Sequence, residues 1–363
     1  MKFQPIDYLN WAKTSFHGQG TAVDLASSGF PARSVDDLQL TSDDLQIRGP
    51  NPYGWPPLKE SIAQFHGMTE SEITITAGAS MANFLSIMAH TDQASPVLVE
   101  QPVYEPMRNL PPLFGGRTVA LPRLNGDGWK VTPPKLKKAL EETNAKLVVI
   151  SNPHNPSGVM MDAKEVSALV EVASNAGAKI ILDEVYAEFH NWNPAELAEA
   201  TREGFLIRLS SLTKVYGFGP LRIGWILSDE ETTQKLHELT NYTYAVHGAI
   251  NERIGHAVWQ QRERFRDEAT KRAAFNLDIM RKFLTTQERL SWEDPKAGIL
   301  GFVRVSGLED TTEFVAHLRT EDNVMVVPGH FFGLKDGFRV GLGNRPDQVR
   351  IALQRLGKRL QNF

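Results

Sequence analysis

Lys214 sits in the stretch Ser210-Ser-Leu-Thr-Lys-Val-Tyr-Gly-Phe-Gly-Pro-Leu-Arg-Ile-Gly-Trp225. This loop is rich in Ser, Gly and Pro, which hold backbone close to something while resisting regular structure. The preceding run, Phe205-Leu-Ile-Arg-Leu209, is apolar and reads as a buried strand. With hydroxyls at Ser211 and Thr213 and a cation at Arg222, Lys214 is a candidate Schiff-base amine. A neighbouring cation and an enclosed site both disfavour the ammonium form, and the free amine is the nucleophile. Taken alone, the same lysine fits a solvated surface charge.

Other stretches place complementary chemistry after apolar runs. Ile73-Thr-Ile-Thr76 precedes Ala77-Gly-Ala-Ser-Met-Ala-Asn. A strand, a tight Gly turn and a helix start made of small residues form an anion site, because unpaired N–H groups point outward there. Ser80 is positioned to cap that helix and add a hydroxyl. Lys146-Leu-Val-Val-Ile-Ser151 ends in Asn152-Pro-His-Asn-Pro-Ser-Gly158, and Lys179-Ile-Ile-Leu-Asp183 carries its acid at the C-terminal tip with Tyr186 just beyond. Pro96-Val-Leu-Val-Glu100 leads to Tyr104, and Phe338-Arg-Val-Gly-Leu342 carries Arg339.

These requirements match those of pyridoxal phosphate: a lysine for the carbonyl carbon, an anion cradle for the phosphate and a carboxylate for the pyridine nitrogen. Asp183 supplies the carboxylate. Asn155 and Tyr186 suit the ring's phenolic oxygen, and Tyr104 can stack on the ring face. Lys214, once displaced by substrate, becomes the base at Cα. Arg222 and Arg339 suit a phosphate and a carboxylate through bidentate contacts.

The elements that position these residues alternate between apolar strands and helices (Thr132 to Glu142, Ala163 to Ala176). That pattern implies a mostly parallel sheet covered on both faces, with ligands at the carboxyl ends of its strands. Beyond Trp225 the chain turns helical, most clearly over Glu252 to Thr285. The final portion reads as strands at Leu300 to Val305, Val324 to Val327 and Phe338 to Leu342, between helices. An N-terminal arm with Phe3, Tyr8, Leu9, Trp11 and Phe16 forms no core alone and must pack elsewhere. The Pro- and Gly-dense stretch from Arg48 to Pro57 is ordered loop, with Tyr53 and Trp55 facing a ligand, a neighbouring subunit or local packing. The expected division is an arm at 1–45, a large domain at 46–265 and a small domain at 266–363.

Bulk composition bounds the function. The chain has 363 residues, 41% hydrophobic and 23% charged, the balance of a soluble globular protein. A net charge of −4 gives no support for nucleic acid or an anionic membrane as partner. Cysteine is absent, which excludes disulfides and thiolate zinc sites and fits a reducing compartment. No apolar run approaches the ~20 residues of a membrane span. A cytoplasmic location is expected.

In order and spacing, Asn152-Pro-His-Asn-Pro-Ser-Gly158, the pair Asp183 and Tyr186, Ser211-Leu-Thr-Lys214, Arg222 and Phe338-Arg-Val-Gly-Leu342 resemble the class I/II, fold type I pyridoxal-phosphate aminotransferases of the aspartate aminotransferase kind, across nearly the whole chain. The resemblance implies an α/β fold, with a mostly parallel sheet sandwiched by helices and a smaller α/β domain built from the arm and the C-terminal part. It implies Lys214 as the Schiff-base lysine, Asp183 as the ring-nitrogen partner, and Asn155 and Tyr186 on the phenolic oxygen. Gly78, Ala79, Ser80, Ser211 and Arg222 form the phosphate cup, and Tyr104 takes the stacking place. Arg339 holds the substrate α-carboxylate, beneath a loop at Gly29. Homodimers are usual, with an interfacial active site to which a tyrosine, here Tyr53, is lent across subunits.

The activity implied is transfer of an amino group between an α-amino acid and a 2-oxo acid. A lyase, decarboxylase or cyclising synthase on the same fold is the alternative, because the core motifs do not separate them; a non-catalytic regulatory protein is a more remote one. Tyr53, Trp55, Tyr104 and Tyr242 would suit an apolar or aromatic substrate side chain. His154 reads as a loop residue, and His247 fits either a pocket or a core position.

Overall fold

The computed structural model describes residues 4–16, 23–49 and 51–363. Phe3, Pro50 and the side chain of Phe16 lie outside the described residues.

The strands, in chain order, are β1 (Val23–Asp24), β2 (Ile73–Ala77), β3 (Pro96–Gln101), β4 (Arg117–Pro122), β5 (Leu147–Ser151), β6 (Lys179–Asp183) and β7 (Leu206–Ser211). They continue as β8 (Ile223–Leu227), β9 (Leu290–Ser291), β10 (Leu300–Val305), β11 (Val324–Met325), β12 (Val327–Pro328) and β13 (Gly337–Gly341). Seven of them form one sheet in the order β2-β8-β7-β6-β5-β3-β4. The pairs from β7 through β4 are parallel, and β8 runs antiparallel to both of its neighbours.

The sheet is covered on both faces, and strand alternation divides its residues between two cores. Val148, Ile150, Ile180 and Leu182 point to one face, where they meet Val166, Leu169 and Ala173 of the helix Ala163–Asn175. Leu147, Val149 and Ile181 point to the other, against Ala82, Leu85 and Ala89 of the helix Ala79–Ala89. Residues one apart on a strand face opposite ways, so a nearly continuous apolar run serves both layers. Asp162 starts the helix Ala163–Asn175 with a reciprocal capping box to Glu165.

The later strands make a separate antiparallel sheet, β12-β13-β10-β9, over its own core of Phe314, Phe338, Val349, Leu353 and Leu356. β1 joins this part by pairing with β11, Val23 opposite Val324. The helix Arg262–Leu284 runs between the two bodies: Phe265, Ala269 and Ala273 pack in the large part, Leu277 and Met280 in the small.

Two sequence expectations change here. Val324 to Val327 is divided between two sheets, because its two ends pair with different partners, β1 and β13. The helical stretch from Glu252 breaks at Gln261, giving helices Ala249–Gln260 and Arg262–Leu284. Among the described residues no helix is long and apolar enough to cross a membrane.

Candidate active site

The carboxyl ends of β2, β3, β5, β6 and β7 carry the residues that the sequence singled out, apart from Gly29, Tyr53 and Arg339. Ala79, Ser80, Tyr104, Asn155, Asp183, Tyr186, Ser211, Lys214 and Arg222 line one cavity of about 150 Å³. Thr213, Lys214 and Ser28 also line a wider outer chamber of about 400 Å³, where Tyr8, Gly29, Phe30, Asp24 and Asn344 complete the wall.

Lys214 extends into the space between the two. Its Nζ donates to Ser28 Oγ at 2.9 Å and lies 5.7 Å from the centre of the Tyr186 ring. Burial lowers its pKa, aided by the cations Arg339 and Arg222 and opposed by Tyr8 and Asp183. The loop carrying Gly29 lies over it: Phe30 N donates to Lys214 O at 2.8 Å, and a Cβ on Gly29 would come within 3.6 Å of Lys214 Cδ.

Asp183 ends β6 and is buried. Asn83 Nδ2 donates to Oδ2 at 2.8 Å, and Val185 N to Oδ1 at 3.2 Å. Burial raises its pKa; the two hydrogen bonds and Lys214 pull the other way. No cation of the described residues lies within salt-bridge distance of it.

The anion site forms at the start of the helix Ala79–Ala89, but its cap is Gly78 rather than Ser80. Gly78 has φ 78°, and a Cβ there would fall 2.4 Å from Arg222 Nη2. Gly224 on β8 allows the close approach, since a Cβ on it would meet Gly78 C at 2.5 Å. Arg222 takes the left-handed conformation, φ 54°, and its Nη2 donates to Ala77 O at 3.0 Å. First-turn N–H groups, a hydroxyl at Ser80 and a guanidinium therefore converge where an anion is favoured.

Arg339 is fully buried. Nη1 donates to Asn155 Oδ1 at 3.1 Å, and Nη2 to Tyr8 Oη at 3.1 Å and Ala26 O at 2.7 Å. Nε has no partner. Burial raises the phenols of Tyr104 and Tyr186, so both remain protonated.

Tyr53 lies outside both cavities; its ring stacks on His237 with centroids 4.4 Å apart. Tyr242 is exposed, and Tyr104 alone of the four aromatic candidates lines the inner cavity. His154 is buried between Ser157 and Pro102 O. His247 backs the anion site through Arg222 O at 3.1 Å.

Sequence reasoning missed Ser28, Asn83 and Tyr8. Ser28 lay in a flagged loop beside Gly29. Asn83 is the polar residue four positions after Ala79, and so shares its helix face. Tyr8 carried no local signal.

Residues 39–356 match the family "Aminotransferase class I and II". Over 341 residues the chain is 24% identical to capreomycidine synthase of Streptomyces vinaceus, covering 90% of this chain and 87% of the relative. Over 322 residues it is 26% identical to the aspartate aminotransferase of Bacillus subtilis (strain 168), covering 84% and 81%. The structure of a PLP-dependent aminotransferase from Streptococcus suis 89-1591 superposes with a TM-score of 0.92 at 23% identity, covering 100% of this chain and 99% of that one.

Proposed function

The chain belongs to the class I and II aminotransferase family, and we propose that its site binds pyridoxal 5'-phosphate and moves an amino group between an α-amino acid and a 2-oxo acid. The observation that carries this reading is the pairing, in one cavity, of a lysine held toward its neutral form with a buried carboxylate that forms no ion pair among the described residues. The residues fit the group. A pyridinium nitrogen supplies the charge that Asp183 lacks, and a phosphate fits the helix start at Gly78, Ala79 and Ser80 with Ser211 and Arg222.

When bound, the cofactor supplies an electrophilic carbonyl carbon and a ring that accepts electrons from the substrate. The chain does the rest. Lys214 holds and moves the proton at the substrate Cα, on the side of the cavity that its stem reaches beside Ser28. Asp183 keeps a proton at the ring nitrogen, and Asn155 and Tyr186 donate to the phenolic oxygen. Tyr104 covers one ring face. Arg339, oriented by Asn155, holds the substrate α-carboxylate, and the loop at Gly29 closes over it and excludes water.

We propose further that the enzyme is a homodimer, with Tyr53 reaching the partner's phosphate; its position on an exposed loop supports this. The division into 1–45, 46–265 and 266–363 is likewise proposed, on the two separate sheets and cores. A cytoplasmic location is proposed, in keeping with a chain free of cysteine.

A second reading, a cyclising synthase using the same residues, is favoured by the likeness to capreomycidine synthase along 90% of the chain. Absorption spectra separate the two. The protein should bind pyridoxal phosphate with a band near the visible edge that borohydride abolishes and that Lys214→Ala lacks. One amino acid of a panel should convert it to a pyridoxamine-like spectrum, releasing its 2-oxo acid. A cyclised product without that conversion favours the synthase, and no band after reconstitution removes both.

A further inference from the structure

Arg339 lines neither the inner cavity nor the outer chamber, although it is the buried cation suited to a substrate carboxylate. The chamber meets it through Tyr8 and the Ala26 carbonyl, which accepts from Arg339 Nη2 at 2.7 Å. The Tyr8 ring forms part of the chamber wall beside Lys214, and its hydroxyl oxygen accepts from Arg339 Nη2 at 3.1 Å. A phenol oxygen that accepts from a guanidinium keeps its own proton to donate. Any carboxylate moving from the chamber toward Arg339 therefore encounters that O–H.

We propose that Tyr8 is a substrate-binding residue that shares the amino acid's α-carboxylate with Arg339. The assignment rests on the aminotransferase reading above. It makes the N-terminal helix Asp7–Phe16 part of the substrate site rather than a packing arm.

The placement of Tyr8 is built, not incidental. Its backbone N–H donates at 2.8 Å to Glu105 Oε2, a buried carboxylate next to the ring-covering Tyr104. Its ring meets Tyr104 edge-on at 5.8 Å and packs against Trp11, Phe331 and Phe332. The helix, the stacking residue and the carboxylate arginine are thus tied at one point. Burial on its own would raise the phenol's pKa; the charges of Arg339 and Lys214, with hydrogen bonds from Arg339 and Ser28, outweigh it and bring the pKa below the ordinary value, which strengthens the O–H as a donor.

Tyr8→Phe tests this, since it keeps the ring contacts and removes only the hydroxyl. A hydrogen bond to a charged group is worth about tenfold in binding. KM for the amino acid and for the 2-oxo acid should each rise about tenfold, with kcat held within about twofold, the pattern of lost uniform binding. The inhibition constant of a plain monocarboxylate should rise by the same factor, while its neutral amide inhibits both proteins equally. A primary amine with the same side chain but no carboxylate should react at the wild-type rate. Cofactor affinity and melting temperature should be unchanged.

Unchanged KM values, or equal losses with and without the carboxylate, would overturn the assignment and leave Tyr8 a packing residue. If the variant is too unstable to assay, Glu105→Leu takes its place, because it removes the acceptor that holds the Tyr8 backbone N–H without touching the chamber. The same carboxylate-against-amide contrast should then appear, and its absence would overturn the assignment. Should the wild-type protein form no borohydride-sensitive band with pyridoxal phosphate, the aminotransferase reading falls and takes this assignment with it. With the band present and Tyr8→Phe binding carboxylates as wild type does, only Tyr8 is reassigned.

Discussion

Asp183 and Glu184 are adjacent, both buried, and treated in opposite ways. Glu184 meets Arg208 in a pair closed within the chain, Nη2 to Oε2 at 2.9 Å and Nε to both carboxylate oxygens near 3 Å. Among the described residues Asp183 accepts from an amide and a backbone N–H and pairs with no cation. The contrast extends further: Glu100 on β3 is paired with Arg123, while Arg339 rests on an amide oxygen, a phenol and a carbonyl, with no carboxylate of the described residues at salt-bridge distance. Charges that hold the frame are neutralised inside it. The two at the site, one of each sign, are solvated by dipoles and left for groups that arrive from outside. An unpaired buried charge is costly, so its persistence marks a ligand position better than proximity to a cavity does.

Four perturbations sharpen or break this division. The largest effect is expected at Lys214→Ala: kcat should fall on the order of 10⁴-fold as the base at Cα is lost, with urea unfolding of the apoprotein unchanged, because the lysine supports chemistry rather than frame. Arg208→Met should do the reverse. It strands Glu184 without a cation and should lower the unfolding free energy by about 3–5 kcal/mol, whereas a loss under 1 kcal/mol would mean that the pair is not structural.

Glu252 is a third case, a buried carboxylate outside both cavities, with His247 Nδ1 3.5 Å from its Oε1. It is fully buried, accepts from Trp55 N and Asn51 Nδ2, and burial pushes its pKa up to about 7. A carboxyl whose pKa is higher folded than unfolded binds more protons when folded, so stability falls as pH rises from about 4.5 to about 7. Glu252→Gln should flatten that slope, worth roughly 3 kcal/mol, in unfolding curves taken across the window. Smallest is Arg339→Lys, which keeps the charge and loses the planar fork. KM for the amino acid should rise about 30-fold, near 2 kcal/mol, with little change in stability.

Legibility in the sequence followed the range of the interaction. Lys214, Asp183 and Asn155 could be read because each reactive type follows directly on an apolar strand, and the parallel sheet brings those ends together. Asn83 and Asp183 are 100 residues apart, Lys214 and Ser28 186, Arg339 and Tyr8 331; no local pattern encodes such meetings. Val324 to Val327 looked like one strand because four apolar residues carry no sign of which partner each end will find. Ser80 was the obvious cap by residue type, yet the close approach of Arg222 and β8 leaves room there only for Gly78. Gln261 breaks a helix without Gly or Pro to announce it.

The division between closed and open charges is tested most directly at Asp183 itself. Pyridoxal phosphate would be titrated by absorbance into the wild-type apoprotein and Asp183→Asn, alongside urea unfolding of both apoproteins. The dissociation constant should rise at least about 100-fold in the variant, near 2.7 kcal/mol, while its apoprotein is as stable as wild type or more so, because a carboxylate that burial holds at a raised pKa has been removed. Equal cofactor affinity, or an apoprotein as destabilised as Arg208→Met, would contradict the claim that Asp183 is an ion pair awaiting its cation.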